Sequence, residues 1–264
     1  MTGRPWGPLP LDAPVPGSSF TDLLESLGVS TIVSLPEGVT VPAVPEGTTV
    51  LALRFQGGVV MAGDRRATEG NLVAHRRIRK VFPADQYSAV AIAGTAGMAI
   101  DMVKLFQVEL EHYEKIEGLR LTLDGKASFL ARLVRNHLPM AFQGLAVVPL
   151  FAGYEEKEET GRVYTFDVVG GRYEEKDFGA TGSGARLARS YLRTTYTDGM
   201  APSDSVAMAI HALVSASQED TATGGPDLRR GILPNVVRID AGGVTEISEE
   251  EILPIAETAL ETIR

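Results

Sequence analysis

Apolar positions divide the chain beyond residue 47 into short strands and longer helices. Two apolar runs, residues 48–55 and 58–62, flank Gln56-Gly57 and are typical of two strands joined by a tight turn. Similar short runs predict four more strands. These cover residues 87–93, 145–153, 163–169 and 232–239, with an acidic loop at 155–159.

Apolar residues that recur every three or four positions predict helices between these strands. Pro139 is expected to disturb one of them, because proline lacks the N–H that a helix interior needs. The predicted helices cover residues 96–115, 127–143, 185–196, 205–218 and 248–263. Because the strands cluster and the helices come in pairs, this order favours a layered α+β fold over alternating βαβ units.

Residues 1–47 differ in composition from the rest of the chain. They contain eight of the 15 prolines and five acidic residues, but one cation, Arg4. Such a proline content keeps a chain extended. One short helix is predicted at residues 19–27, where Phe20, Leu23 and Leu27 share a face. A helix this short is marginal alone, so we expect a removable leader that needs a partner surface.

Composition and charge argue against several classes of function. The net charge is −9, whereas a nucleic-acid-binding protein usually presents a basic face. Because there is no cysteine, disulfides, thiolate metal sites and a cysteine nucleophile are excluded. No apolar run is long enough for a membrane span, and no signal peptide is recognisable. We therefore expect a cytoplasmic protein that binds neither nucleic acid nor membrane.

Motifs for phosphate, zinc and serine chemistry are incomplete. The glycine-rich segment 179–184 precedes a predicted helix but lacks the lysine of a phosphate-binding loop. No Gly-x-Ser-x-Gly elbow with suitable partners occurs. The histidines have no zinc-ligand spacing and lie at His75, His112, His137 and His211. The sequence therefore predicts neither a metal nor a cofactor.

Six short segments remain, and each alone reads as ordinary strand or turn sequence. They are EGTTV (46–50), GDRR (63–66), RKVF (79–82), AGTAG (93–97), GSG (182–184) and DTATGG (220–225). In this order and at these spacings they resemble the proteasome β-subunit family, over residues 48 to about 250. The likeness is closest to the actinobacterial type, on MAGDRR (61–66), VELEHYEK (108–115) and ATGGPDL (222–228).

The resemblance implies a fold and a maturation step. The family fold is the N-terminal-nucleophile hydrolase sandwich, an α+β structure of four αββα layers. Residues 1–47 correspond to a propeptide, and residues 48–264 to the catalytic domain. Cleavage at Gly47-Thr48, carried out by Thr48 itself, would release an N-terminal threonine.

An N-terminal threonine suits peptide hydrolysis because it carries its own base. A threonine hydroxyl is a poor nucleophile alone, and an α-amine with a pKa of about 8 is partly neutral near pH 7. By resemblance, Asp64 holds Lys80, whose charge lowers the pKa of that amine. The Gly94 N–H would bind the oxyanion. Three further residues would orient the amine: Ser183, Asp220 and Thr223, the last in place of a serine found in many relatives.

The resemblance also implies a specificity and partners. The first substrate pocket would be lined by Ala67, Ile78, Ile92, Ala96 and Ile100, and the substrate backbone would lie extended along Thr68 and residues 94–96. Since none of these side chains is charged, we expect chymotrypsin-like cleavage after large apolar residues. The partners implied are α-subunits and other β-subunits in stacked seven-membered rings, an ATPase or other ring activator, and unfolded protein substrates.

Three other interpretations remain open on sequence alone. The simpler bacterial two-ring relative also begins with Thr-Thr, but it usually has a very short leader and lacks the segment DTATGGPD (220–227). A β-like scaffold subunit would be inactive, and a peptidase assay would identify it. An unrelated N-terminal-nucleophile amidase would act on small molecules, and the long leader argues against it.

Overall fold

Two five-stranded antiparallel sheets form the centre of the protein. The computed structural model describes residues 48–69, without the side chain of Glu69, and residues 72–262; the predicted propeptide, its helix and Gly47 lie outside this range. The first sheet has the order β10-β1-β2-β11-β12 and the second β5-β6-β7-β8-β9.

The first described residues lead into β1, which is an interior strand of the first sheet. In the first sheet β1 is Thr49–Phe55, β2 Gly58–Gly63, β10 Phe178–Gly182, β11 Asn235–Asp240 and β12 Gly243–Glu246. In the second, β5 is Val81–Asp85, β6 Ser88–Gly94, β7 Val147–Glu155, β8 Thr160–Phe166 and β9 Arg172–Glu175. A separate hairpin pairs β3 (Ala67–Glu69) with β4 (Leu72–His75).

Helices cover the outer face of each sheet. Against the second sheet pack α1 (Ala96–Glu117) and α2 (Leu123–Asn136), which is followed by the short α3 (Leu138–Ala141). Against the first sheet pack α4 (Ala185–Thr195), α5 (Pro202–Glu219) and α6 (Glu249–Thr262). A 3-10 turn at Leu228–Arg230 precedes β11. None of the helices in the described part of the chain is long and apolar enough to cross a membrane.

Three apolar cores separate four layers. Along β1, Val50 and Ala52 belong to the core between the sheets, whereas Leu51 and Leu53 belong to the core under α4, α5 and α6. A third core lies between the second sheet and helices α1 and α2. Because side chains alternate between the two faces of a strand, a sheet buried on both faces needs continuous apolar runs. The predicted four-layer αββα sandwich is confirmed.

Several predicted boundaries were wrong, for identifiable reasons. The helix predicted at 127–143 begins at Leu123, where the Thr122 hydroxyl accepts a 3.1 Å hydrogen bond from the Gly125 N–H and caps the first turn. It ends at Asn136, as expected from Pro139, which lies in the first turn of α3. The strand predicted at 163–169 is Thr160–Phe166, and that predicted at 232–239 is Asn235–Asp240.

The strands that sequence analysis missed are short, lie at edges or are rich in glycine. Strand β5 contains Pro83, which is tolerated because β5 is an edge strand of its sheet. Strand β10 lies largely in the glycine-rich segment 179–184, whose glycines indicate a loop rather than a strand. This strand pairs with β1 and carries one wall of the candidate site.

Candidate active site

Thr48 directly precedes β1, the second strand of the first sheet. Only 6% of its surface is exposed. Its carbonyl oxygen accepts a 2.9 Å hydrogen bond from the Ser183 N–H. Gly182, at the end of β10, has φ +100°, and a Cβ there would lie 1.9 Å from the Thr48 oxygen. A side chain at residue 182 would displace Thr48, so glycine is required at this position.

Asp64 and Lys80 form a buried ion pair that links the two sheets. Lys80 Nζ lies 2.6 Å from Asp64 Oδ1, and the two side chains are 4% and 0% exposed. Asp64 follows β2 directly, and Lys80 directly precedes β5. Lys80 also donates a 2.5 Å hydrogen bond to the Arg66 carbonyl. The ammonium is therefore fixed at one place in the site.

Backbone N–H groups hold the Asp64 carboxylate on its other sides. Thr49 N–H donates to Oδ1 at 2.8 Å, while the N–H groups of Arg66 and Gly224 each donate to Oδ2 at 2.9 Å. These donors engage both oxygens of the buried carboxylate and fix its position. The Arg66 guanidinium donates to the Thr221 carbonyl at 2.8 Å.

Burial lowers the pKa of Lys80 below its ordinary value of 10.5. Desolvation of the ammonium is the largest cause, and the positive charge of Arg66 acts in the same direction, while the Asp64 carboxylate opposes both. Lys80 lines the same cavity as Thr48. A cation at this place lowers the pKa of an amine on residue 48 and favours its neutral, proton-accepting form.

A second acidic cluster, around the half-buried Asp220, also adjoins Thr48. Asp220 Oδ2 accepts hydrogen bonds of 2.5 Å from the hydroxyls of Ser183 and Thr223. The Ala222 N–H donates to Oδ1 at 3.1 Å. The Ser183 hydroxyl also lies 3.3 Å from the Thr48 carbonyl oxygen. The cluster therefore touches the backbone of Thr48 through Ser183.

Gly94 ends β6 with φ +108°, and a Cβ there would lie 2.1 Å from the Ala146 carbonyl oxygen. The Ile92 N–H donates to the Lys80 carbonyl at 3.0 Å. N–H groups two residues apart on a strand lie on the same edge, so the Gly94 N–H faces the side of β6 on which Lys80 lies. An N–H at this edge can donate to an oxyanion bound beside Thr48.

A cavity of about 100 Å³ opens beside Thr48. Five of the six predicted substrate-binding residues line it: Ala67, Thr68, Ile78, Ile92 and Ala96. The sixth, Ile100, is one turn further along α1 and packs against the core between α1, α2 and the second sheet. The lining also includes Arg79 and Thr95, to which sequence analysis gave no site role, and Lys80, which it placed in the catalytic set but not in the pocket.

The cations in the lining already have partners. Arg79 donates to the Val81 carbonyl at 2.9 Å and to Glu246 Oε2 at 3.1 Å, and Lys80 is paired with Asp64. They reach the cavity wall because residues 79 and 80 lead into β5 along it. A second cavity of about 160 Å³ lies on the other side of Thr48, lined in part by Ala146, Val168 and Thr181.

Thr49 is the buried site residue that sequence analysis did not single out. Its hydroxyl lies 2.5 Å from Thr223 Oγ1 and accepts a 3.0 Å hydrogen bond from the Gly184 N–H. A Thr-Thr pair at the start of a strand is ordinary strand composition, so no local signal distinguishes it. Within the described residues, no group of three or more His, Asp or Glu residues could hold a metal.

A four-layer αββα sandwich with a threonine at the start of a central strand has the architecture of the N-terminal-nucleophile hydrolases. The chain belongs to the proteasome subunit family, whose model, described as "Proteasome subunit", matches residues 44–227.

Curated relatives named "Proteasome subunit beta" match nearly the whole chain. The protein from Acidimicrobium ferrooxidans is 51% identical, over 91% of this chain and 88% of its own length. The proteins from Streptomyces griseus and Acidothermus cellulolyticus are each 48% identical, over 98% and 97% of this chain and 93% and 91% of their own lengths.

Proposed function

We propose that this chain is the catalytic β-subunit of a bacterial proteasome core and a threonine endopeptidase whose nucleophile is Thr48. The observation that carries the proposal is that Thr48 adjoins two acidic clusters. It lines one cavity with Lys80, which is paired with the buried Asp64, and its carbonyl oxygen accepts hydrogen bonds from Ser183, whose hydroxyl donates to the half-buried Asp220. The similarity of this chain to curated β-subunits over most of their length supports the same function.

The proposed reaction passes through an ester on Thr48. The Thr48 Oγ attacks the carbonyl carbon of the substrate, and its proton moves to the free α-amine of the same residue. The Gly94 N–H donates to the oxyanion of the tetrahedral intermediate. The C–N bond then breaks, the departing amine takes the proton from the α-amine, and an ester remains. Water hydrolyses that ester and returns the hydroxyl.

The α-amine exists only after residues 1–47 have been removed, so the proposal includes a self-activation step. Before cleavage, the nitrogen of Thr48 is the amide bonded to Gly47. The Thr48 hydroxyl attacks the Gly47 carbonyl, the C–N bond breaks, and an ester forms that water opens. The match to the Streptomyces griseus protein spans 98% of this chain and so includes most of the leader.

The test replaces Thr48 by alanine in protein co-expressed with an α-subunit. We expect assembled Thr48→Ala particles to retain the full-length chain and to lack peptidase activity, whereas wild-type particles lose 47 residues and hydrolyse peptides. Intact mass and a fluorogenic peptide assay give the two readouts. Normal trimming in the Thr48→Ala particle would contradict self-cleavage, and an inactive wild-type particle would favour a scaffold subunit.

The proposal includes a preference for large apolar residues before the cut. Ile78, Ile92 and Ala67 offer an apolar wall, which stabilises a buried apolar side chain by about 25 cal/mol per Å². Because Arg79 and Lys80 are already paired, they offer no new partner to an acidic side chain. A charged residue would lose its hydration without compensation. Ile100, one turn behind Ala96, would act only through the packing of α1.

A peptide series that differs only at the residue before the cut tests this preference. We expect faster hydrolysis after Phe, Tyr or Leu than after Arg or Glu, and Ile92→Glu should shift the preference towards basic residues. Equal or faster turnover after Arg or Glu in the wild-type particle would contradict an apolar pocket. Ile100→Glu serves as the comparison: its position outside the cavity lining predicts no new preference for basic residues.

The proposed assembly follows from the family. We propose stacked seven-membered rings of this chain with rings of α-subunits, an ATPase or other ring activator, unfolded protein substrates and a cytoplasmic location. Neither nucleic acid nor membrane belongs to the proposal. Size-exclusion chromatography and native mass of the co-expressed subunits test the ring composition.

A further inference from the structure

Thr49 is hydrogen-bonded to both acidic clusters of the site, and the proposed reaction gives it no role. Its N–H donates to Asp64 Oδ1 at 2.8 Å, and its hydroxyl reaches Asp220 through Thr223. The residue is fully buried. We infer that Thr49 is a positioning residue whose hydroxyl sets the hydrogen bonds around Asp220 and thereby tunes the base on Thr48; this inference rests on the proposed function.

Hydrogen-bond valence fixes the direction of every bond in this chain of groups. An ionised carboxylate only accepts, so the hydroxyls of Thr223 and Ser183 both donate to Asp220 Oδ2. Since the one hydroxyl hydrogen of Thr223 is used in this way, Thr223 accepts in its 2.5 Å contact with Thr49. Thr49 therefore donates to Thr223.

The Thr49 oxygen is in turn an acceptor. The Gly184 N–H donates to it at 3.0 Å, at the residue that precedes α4. The hydrogen bonds thus run in one direction, from Gly184 through Thr49 and Thr223 to Asp220. Successive bonds in such a chain polarise one another, so donation by Thr49 strengthens donation by Thr223 to the carboxylate.

This chain is tightly packed around Gly184. A Cβ at residue 184 would lie 2.4 Å from Thr49 Oγ1, 2.6 Å from Thr223 Oγ1 and 3.1 Å from Asp220 Oδ2. The three polar groups therefore converge on the place where Gly184 approaches closely, and no side chain fits between them.

Loss of the Thr49 hydroxyl should raise the pKa of the Thr48 amine. With weaker donation from Thr223, the Asp220 carboxylate keeps more of its negative charge. A carboxylate close to an amine raises the pKa of that amine, because it stabilises the protonated form. The base on Thr48 would then be neutral only at higher pH. The acid limb of the kcat/KM profile, which reports free-enzyme groups, should shift to higher pH.

Two matched pairs of variants separate the hydroxyl from the rest of the side chain. Thr49→Val replaces the hydroxyl by a methyl group of similar size, and Thr49→Ala differs from Thr49→Ser only by the missing oxygen. In assembled, fully processed particles we expect Thr49→Ser to stay within about twofold of the wild type. Thr49→Val and Thr49→Ala should lose about tenfold in kcat, the effect of one strong hydrogen bond, with little change in KM.

The pH profile and a double variant complete the test. The acid limb should move to higher pH in Thr49→Ala and not in Thr49→Ser. Adding Thr49→Val to Thr223→Val should cause little further loss, because Thr49 acts on Asp220 only through Thr223. Equal activities and equal pH profiles for Thr49→Ser and Thr49→Ala would overturn the inference, even if Thr49→Val fails to assemble.

The same variants distinguish this inference from the proposed function. If the wild-type particle were inactive, the proposed function would fail first. The chain of hydrogen bonds would then be tested by thermal unfolding, in which the stability losses of Thr49→Val and Thr223→Val should be non-additive. Additive effects in that measurement would contradict the chain of bonds itself.

Discussion

At the residue scale, the site depends on a lysine held away from water. Lys80 has a carboxylate and a carbonyl as partners, and its side chain is 4% exposed. Burial of such a pair is costly, and removal of one partner leaves an uncompensated charge. This costly ion pair lies beside Thr48. A role of the buried ammonium in the reaction therefore explains its presence better than a contribution to stability does.

Replacing Lys80 by alanine should nearly abolish peptide hydrolysis, lowering the turnover rate by a factor on the order of 100 or more. The free energy of unfolding should fall by about 3 kcal/mol, the lower end for a broken buried pair, because three backbone N–H groups still hold Asp64. Lys80→Arg should also be inactive, since a planar guanidinium cannot occupy the place of a compact ammonium.

The matched control for this prediction is Lys115→Ala, which removes an exposed lysine from its ion pair with Glu111 on α1. Exposed pairs contribute little, so activity and stability should stay at the wild-type level. Peptide turnover and denaturant unfolding give the two measurements. Wild-type turnover by Lys80→Ala particles would contradict a role of Lys80 in the reaction and leave it only a structural role.

The lowered pKa of Lys80 predicts opposite pH dependences for stability and activity. Between the lowered pKa and 10.5 the unfolded chain binds more protons than the folded chain, so the free energy of unfolding rises with pH in this window. Activity should fall over the same window, because the neutral lysine no longer places a positive charge beside Thr48 and the oxyanion that forms there.

The measurement is the difference between the wild type and Lys80→Met, which removes the titrating group while leaving other alkaline groups such as Tyr164 and Tyr196 unchanged. The rise in stability with pH should disappear from the variant. A wild-type stability that fell with pH relative to Lys80→Met would mean that the ion pair raises the lysine pKa instead of lowering it.

At the scale of elements, the ends of β6 and β10 place two glycines against the backbone around Thr48. Gly94→Ala should cost about 3 kcal/mol of stability, because a side chain at φ +108° is strained and its Cβ would lie 2.1 Å from the Ala146 oxygen. The displaced N–H should also lower kcat by about 100-fold, the effect of one oxyanion donor.

Gly97→Ala is the control, since it lies three residues away in the first turn of α1 with nothing within 4 Å of the added Cβ. This variant should keep full activity and gain up to about 1 kcal/mol from helix propensity. Unfolding midpoints and peptide turnover compare the two variants. Equal behaviour of Gly94→Ala and Gly97→Ala would rule out a special role for the end of β6.

The same scale explains which elements could be predicted from the sequence. Strands such as β1 and β2 are apolar on both faces, and α1 has a long periodic pattern, so their existence was evident. The start of α2 depends on the side-chain cap at Thr122 and was placed four residues late. Strand β10 is defined by its pairing with β1, which no local pattern reveals.

The candidate site divides in the same way. Its recognised residues lie in short segments whose order and spacing resemble a family, which is why Thr48, Asp64 and Lys80 could be chosen in advance. Thr49 could not, because its significance is a contact with Thr223, 174 residues away in sequence. Ile100 was included by resemblance to the family, but the fold packs it against the core behind the cavity.

At the scale of the whole molecule, α1 presents a second apolar face in addition to its buried one. Leu105, Val108 and Ile116 are 47%, 61% and 66% exposed and follow one another along the helix, while Phe106 and Leu110 on another face fill the core. Exposed apolar side chains that recur along one face of a helix mark an interaction surface. In the proposed particle we expect it to contact an α-subunit.

Val108→Asp tests this contact on that exposed face of α1. An aspartate would lose its hydration in an apolar interface without a partner, so co-assembly with α-subunits should fail. The isolated chain should fold as before, because Val108 is outside the core and a surface substitution changes stability little. Val108→Ile keeps the apolar character and should assemble normally. Native mass and thermal unfolding of both variants give the measurement, and wild-type assembly of Val108→Asp would move the α-subunit contact to another face.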